Sequence, residues 1–151
     1  MTEAETRTHI PETNPFRWEG VPVLAYKEEG SHFRDVSRQV LFEGEGIGAE
    51  LRYFEVAAGG WSTLERHEHV HAVLIVRGRG RALIGDRVVE LAPHDLVRVP
   101  SLTWHQFRAA ADAPLGFVCL VPCGRDRPER PDAATLAALR LNPTIADFIR
   151  V

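Results

Sequence analysis

The sequence predicts an all-β fold, a barrel or sandwich, carrying an N-terminal arm and a short helical tail. Three observations predict it. Six or seven short runs of strand-forming residues follow one another between Ala49 and Val121, with no helical pattern between them. Turn signals built on Gly, Asp and Pro separate those runs. A helical pattern emerges only beyond Gly124. The chain has 151 residues, the length of one domain and enough to bury a core.

The elements follow in order. The first twenty residues are polar and hold Pro11 and Pro15, and they read as an arm lying on a partner subunit. Val21 to Phe42 is mixed and fits no single period, so the whole stretch 1–45 is grouped with the arm. The barrel is expected over 46–122. AELRYFEVA alternates as a strand, and Gly59-Gly60 punctuates it. WSTLERHEHVH leads into AVLIV, a buried strand ended by RGRG. RALIG and RVVEL flank a Gly85-Asp86 turn and read as a hairpin, because that pair suits the positive φ of a tight turn. Pro93-His94-Asp95 forms the next turn, and LVRVP, WHQFRA and LGFVCLV are three more strands. In the tail, 123–151, a charged connector precedes Asp132, which caps a helix with Leu136 and Leu139 on one face. Asn142-Pro143 interrupts it before a second turn bearing Ile145, Phe148 and Ile149. This tail is expected to pack over the barrel or across a dimer.

Composition narrows the function. The chain is 44% hydrophobic and 26% charged, with a net charge of −3. That balance argues against nucleic acid as the main partner. No apolar run approaches the ~20 residues of a membrane span, and the opening residues lack a basic-then-apolar signal. A cytoplasmic protein is expected. Two cysteines, Cys119 and Cys123, are too few for a disulfide scaffold. Seventeen arginines against the single Lys27 read as codon composition.

Histidine is where the sequence departs from the ordinary. Five of seven histidines, at 67, 69, 71, 94 and 105, crowd one stretch. Neutral imidazole is a common metal ligand. On an extended strand Glu65, His67, His69 and His71 share parity and hence one face. His105, on a distant strand, reaches them only if the sheet closes, as in a barrel whose interior holds a small ligand. A solvated strand face is the plain alternative. The run from His67 to His71 also satisfies HExxH, but that metalloprotease site requires a helix, and the Val/Ile-rich continuation carries no helix signal.

These residues resemble the cupin superfamily. Its first motif places G, five residues, HxH, three or four residues, E, six residues and G. Here Gly59, Glu65, His67, His71 and Gly78 keep the spacing, with Glu65 at the first histidine and His71 at the carboxylate. In the other register His67 and His69 form the pair, and Val73 falls on the carboxylate. In the second motif Pro100 and His105 match, while His94, Leu102 and Ala109 replace two glycines and an asparagine. His94 therefore sits where an unusual turn backbone is expected.

The resemblance implies a cupin jelly-roll barrel and one divalent metal ion, Fe, Mn, Ni, Zn or Cu, held by Glu65, His67, His71 and His105. His69 is the alternative ligand or a group that orients one. Strand parity places Thr103 and Phe107 beside His105 and puts Arg52 and Phe54 together, leaving open whether their face or that of Leu51 and Tyr53 is inside. If Arg52 faces inward, an anionic substrate follows. Cys119 either brings thiol chemistry to the pocket or is a small core residue. A dioxygenase acting on a small molecule is the first chemistry this implies. A non-redox isomerase, lyase or cyclase, or a non-enzymatic small-molecule binder, is the alternative. A homodimer is expected, because arm and tail have no obvious place in a minimal barrel. Metal binding is expected to weaken below about pH 6, where imidazole protonates.

Overall fold

A computed structural model describes residues 7–27, 30–44 and 46–151. Its strands are β1 (Glu12–Asn14), β2 (Arg17–Trp18), β3 (Leu24–Ala25), β4 (Arg34–Gly44), β5 (Ala49–Trp61), β6 (His71–Gly78), β7 (Gly80–Ile84), β8 (Arg87–Leu91), β9 (Leu96–Val99), β10 (His105–Ala109) and β11 (Leu115–Pro122). Two helices follow, α1 (Ala133–Leu139) and α2 (Pro143–Phe148). All strands but β1 and β2 join one curled antiparallel sheet in the order β8-β7-β10-β5-β11-β6-β9, with β4 also paired along β5 and β3 beside β4. Among the described residues no helix is long and apolar enough to cross a membrane.

Alternation decides which face is the core. Phe54 and Val56 of β5, Val73 and Ile75 of β6, Phe107 of β10 and Phe117 and Cys119 of β11 point inward into one buried cluster. Phe107, Phe117 and Phe54 stack in series, with ring centroids 4.7 and 5.5 Å apart. Register places Arg52 directly opposite Cys119 and Phe54 opposite Phe117. The inner face of β5 is thus that of Arg52 and Phe54, the question strand parity had left open.

The outer face is covered from both ends of the chain. Tyr53 is fully buried, stacked on Phe16 at 5.4 Å and met edge-on by Trp18. The arm expected on a partner subunit therefore lies on its own sheet over these residues. Arg34–Gly44, grouped with the arm by sequence, is an 11-residue strand paired along β5. Its pattern was unreadable because both faces are half-covered. The tail packs back as expected: Ile145, Phe148 and Ile149 bury with Leu64 and Leu83. Asp132 caps α1 by accepting from the Thr135 N–H at 2.8 Å. Gln106, fully buried, ties down the chain end by donating to the Ser62 and Arg150 carbonyls and accepting from the Arg150 N–H. Arm and tail thus both find places on their own barrel, which removes the reason given for a dimer.

Two replaced motif glycines keep the backbone that glycine favours. His94 has φ of 78° and Leu102 of 54°, a left-handed conformation costing an L-residue roughly 1–2 kcal/mol. Leu102→Gly is expected to raise stability by about 0.5–1 kcal/mol, since Leu102 is 47% exposed and loses little packing. The retained Gly78 behaves oppositely. Its φ is 73°, and a Cβ there would lie 1.7 Å from the Pro114 carbonyl oxygen. Gly78→Ala is expected to cost ~3–5 kcal/mol from strain and overpacking together. Denaturant midpoints of the two variants should move in opposite directions.

Candidate metal centre

The four residues of equal parity do reach one pocket, though not as a strand face. Only Glu65 and Arg66 pair as isolated bridges, the chain bends at Glu68 and His69, and β6 starts at His71. Glu65 and His105 pair through two backbone hydrogen bonds of 3.0 and 3.2 Å, which bring the two motifs together. There is no helix over His67–His71, so the HExxH match carries no metalloprotease site.

Three imidazoles converge. Ligand nitrogens of His67, His71 and His105 lie within 4.8 Å of one another. His67 and His105 are each 4% exposed. His67 Nδ1 sits 2.7 Å from the His69 carbonyl oxygen, and His105 Nδ1 sits 2.8 Å from that of Thr103. A carbonyl accepts only, so each Nδ1 carries the proton and each Nε2 presents a lone pair. His71 Nδ1 meets Cys119 Sγ at 3.0 Å, and its Nε2 is buried without a partner. An orphaned imidazole nitrogen beside two others with fixed tautomers is a donor set that fits a divalent cation.

Glu65 stands apart from these three. Its Oε2 accepts from Lys27 Nζ at 2.8 Å, and Lys27 also donates to Thr63 Oγ1 at 3.0 Å. His69 lies parallel to His67 with ring centroids 3.7 Å apart and donates from Nδ1 to Asp126 Oδ1 at 2.7 Å. Both residues line the same pocket, of about 320 Å³, together with Arg52, Phe54, Phe107 and Cys119. Thr103 does not line it. Residues 101–104, a turn at Ser101–Leu102 and two residues after it, lie outside any strand, so strand parity cannot be extended back from His105, and Thr103 contributes its carbonyl instead.

Sequence reasoning missed several lining groups, among them Tyr26, Lys27, Arg38 and Arg125. Only Lys27 left a signal, as the one lysine among 18 basic residues. Most of these cations are paired, Lys27 with Glu65 and both Arg52 and Arg125 with Glu50, and Arg52 crosses the pocket with NH2 3.9 Å from Cys119 Sγ and its Nε, without a hydrogen bond, 3.7 Å from Glu50 Oε1.

Burial controls protonation here. It pushes the His67, His71 and His105 imidazoles below their ordinary value, His105 to about 4, and the clustered imidazoles add mutual repulsion. It pushes the Cys119 thiol up, against the pull of Arg52. The sign follows: between about pH 6.5 and 4 the unfolded chain takes up protons that the folded one refuses, so stability falls as pH falls through that window. Metal-free protein is expected to lose ~2–4 kcal/mol between pH 7 and pH 5, checked by denaturant unfolding at each pH. Proton competition for a metal then begins nearer pH 5 than the pH 6 expected from unperturbed imidazole.

The model of the cupin domain family matches residues 52–121. A 1-methylthio-D-xylulose 5-phosphate methylsulfurylase from Rhodospirillum rubrum is 54% identical over 146 residues, covering 96% of this chain and 94% of that protein. The crystal structure of a cupin 2 conserved barrel domain protein from Rhodopseudomonas palustris is 52% identical, with TM-score 0.91 over 95% of this chain and 100% of that one. A cupin 2 domain-containing protein from Halorhodospira halophila, 43% identical, superposes with TM-score 0.74 over 95% of this chain and 96% of that one.

Proposed function

The chain belongs to the cupin superfamily, and from that premise we propose that it is a metal-dependent enzyme moving the methylthio group of a methylthio ketose phosphate onto a thiol. One observation carries the reading: the Cys119 thiol shares a pocket with His67, His71 and His105, 3.0 Å from His71 Nδ1. The similarity to a methylsulfurylase of that substrate supports it.

The residues divide the work. His67, His71 and His105 hold the cation, one of Fe, Mn, Ni, Zn or Cu. When bound, it supplies a Lewis acid for the substrate's carbonyl oxygen. Burial keeps Cys119 a thiol at rest and Arg52 pulls the other way, toward the thiolate, which forms as the thiol gives up its proton to solvent. The Cys119 thiolate attacks the methylthio sulfur. An S–S bond forms, the bond from that sulfur to C1 breaks, and its electron pair passes into the adjacent ketone as an enolate. Lys27, held between Glu65 and Thr63, is the wall's acid for protonating C1. A small external thiol then attacks the mixed disulfide, leaves as its methyl disulfide and restores the Cys119 thiol. The other cations suit the phosphate. Away from the stretch covered by the arm and tail, β6, β9 and β11 expose Leu74, Leu96 and Leu120, a surface suited to the homodimer included in this reading.

The test is an anaerobic incubation of metal-loaded protein with 1-methylthio-D-xylulose 5-phosphate and 2-mercaptoethanol. Equal amounts of the 1-deoxy ketose phosphate and the methyl disulfide are expected. Turnover that requires and consumes dioxygen would replace this reading with the dioxygenase one. Binding without turnover in either atmosphere would leave a small-molecule receptor.

A further inference from the structure

Residues 123–131, beyond the stretch matched to the cupin domain, return to the metal centre and are fastened there at two points. Arg66 and Glu129 exchange backbone hydrogen bonds of 3.0 and 2.8 Å, and their side chains pair at 3.0 Å. Three residues before Glu129, the Asp126 carboxylate receives three N–H groups. Oδ2 accepts from the Glu68 backbone at 2.7 Å, and Oδ1 accepts from the His69 backbone at 2.9 Å and from His69 Nδ1 at 2.7 Å. These donors, the Glu68 N–H foremost, hold the carboxyl well below the usual carboxylate range.

His69 is the link to His67. Its ring lies parallel to that of His67 at 3.7 Å, with 2° between the planes, and its carbonyl oxygen receives His67 Nδ1 at 2.7 Å. The carbonyl fixes the His67 tautomer, and the ring fixes the plane in which His67 Nε2 points. Both come from a single residue that Asp126 grips by backbone and side chain together. The segment holding it is a bend outside any strand, anchored otherwise by the Arg66–Glu129 pair and by the Leu102 N–H, which donates to the His67 carbonyl at 2.7 Å.

We infer that Asp126 is a positioning residue of the metal centre, acting through His69 to hold His67 in its metal-binding orientation. The inference rests on the metal reading of the three imidazoles. Groups that orient a ligating histidine typically carry 10–100-fold in metal affinity.

The test is a Co(II) titration of the full chain, followed through the visible ligand-field bands. Asp126→Ala is expected to weaken Co(II) ~10–100-fold and to shift those bands. Asp126→Asn, which keeps an acceptor for His69 but loses one for Glu68, is expected to fall between it and the parent, and it serves if Asp126→Ala does not fold. Arg66→Ala, which loosens the other fastening, is expected to bind within about threefold of the parent. If both Asp126 variants bind with parental affinity and spectrum, the inference is overturned while the metal reading stands. Equal weakening by Arg66→Ala would overturn it too, assigning the effect to the whole strap. A parent that takes up no Co(II) would overturn the metal reading and this inference with it.

Discussion

Cys119→Ser is expected to abolish methylthio transfer while leaving metal uptake and fold nearly unchanged. Cys119 is 2% exposed, so a near-isosteric change keeps the packing on β11, and a serine Oγ still offers His71 Nδ1 a partner. Chemistry changes instead. A hydroxyl titrates far above a thiol, and its oxygen does not form the S–S bond the reaction needs. The rate should fall by at least ~10³-fold, the loss expected when an activated nucleophile is removed. Protein mass spectrometry gives a second readout. With substrate and no external thiol, the parent should carry one methylthio group and the variant none. Turnover by Cys119→Ser within tenfold of the parent would sink the thiol mechanism.

His105→Ala should do the reverse, removing the metal while sparing the thiol. His105 is 4% exposed, and its Nδ1 donates to the Thr103 carbonyl, so its Nε2 carries the lone pair that alanine lacks. Loss of one of three imidazoles should exceed the 10–100-fold seen for groups outside the ligand shell, hence at least ~100-fold in affinity. The same variant should flatten the pH dependence of metal-free stability, because the imidazole that refuses protons down to about pH 4 is gone. Elemental analysis and unfolding at pH 7 and 5 check both. Full metal content in His105→Ala would exclude it as a ligand.

Much of this was legible in the sequence, and the reason is local. The Gly59 to Gly78 spacing depends on turn backbone and strand length, which neighbouring residues set. Gly78 must be glycine because Pro114 crosses it, and His94 was readable as a strained turn position because glycine is the usual occupant there. The clustering of His67, His71 and His105 followed from that pattern together with barrel closure. The site residues that came from strand parity were less secure. Parity held for Phe107 and failed for Thr103, because the strand begins at His105. It brought Glu65, His67, His69 and His71 into one pocket through a bend it did not foresee.

The sequence alone determined the chemical inventory and its spacing: a curled all-β fold, a crowd of imidazoles on two linked motifs, and a thiol one strand away. Only the tertiary structure decided which groups meet. It put Arg52 rather than Tyr53 inside, because the arm's Phe16 and Trp18 cover the other face of β5. It drew Glu65 to Lys27 across 38 positions and Asp126 to His69 across 57. Such pairs have no period and no spacing, since they arise where distant segments are pressed together by burial of a shared apolar core. Charge complementarity at that closure, not local pattern, selects them.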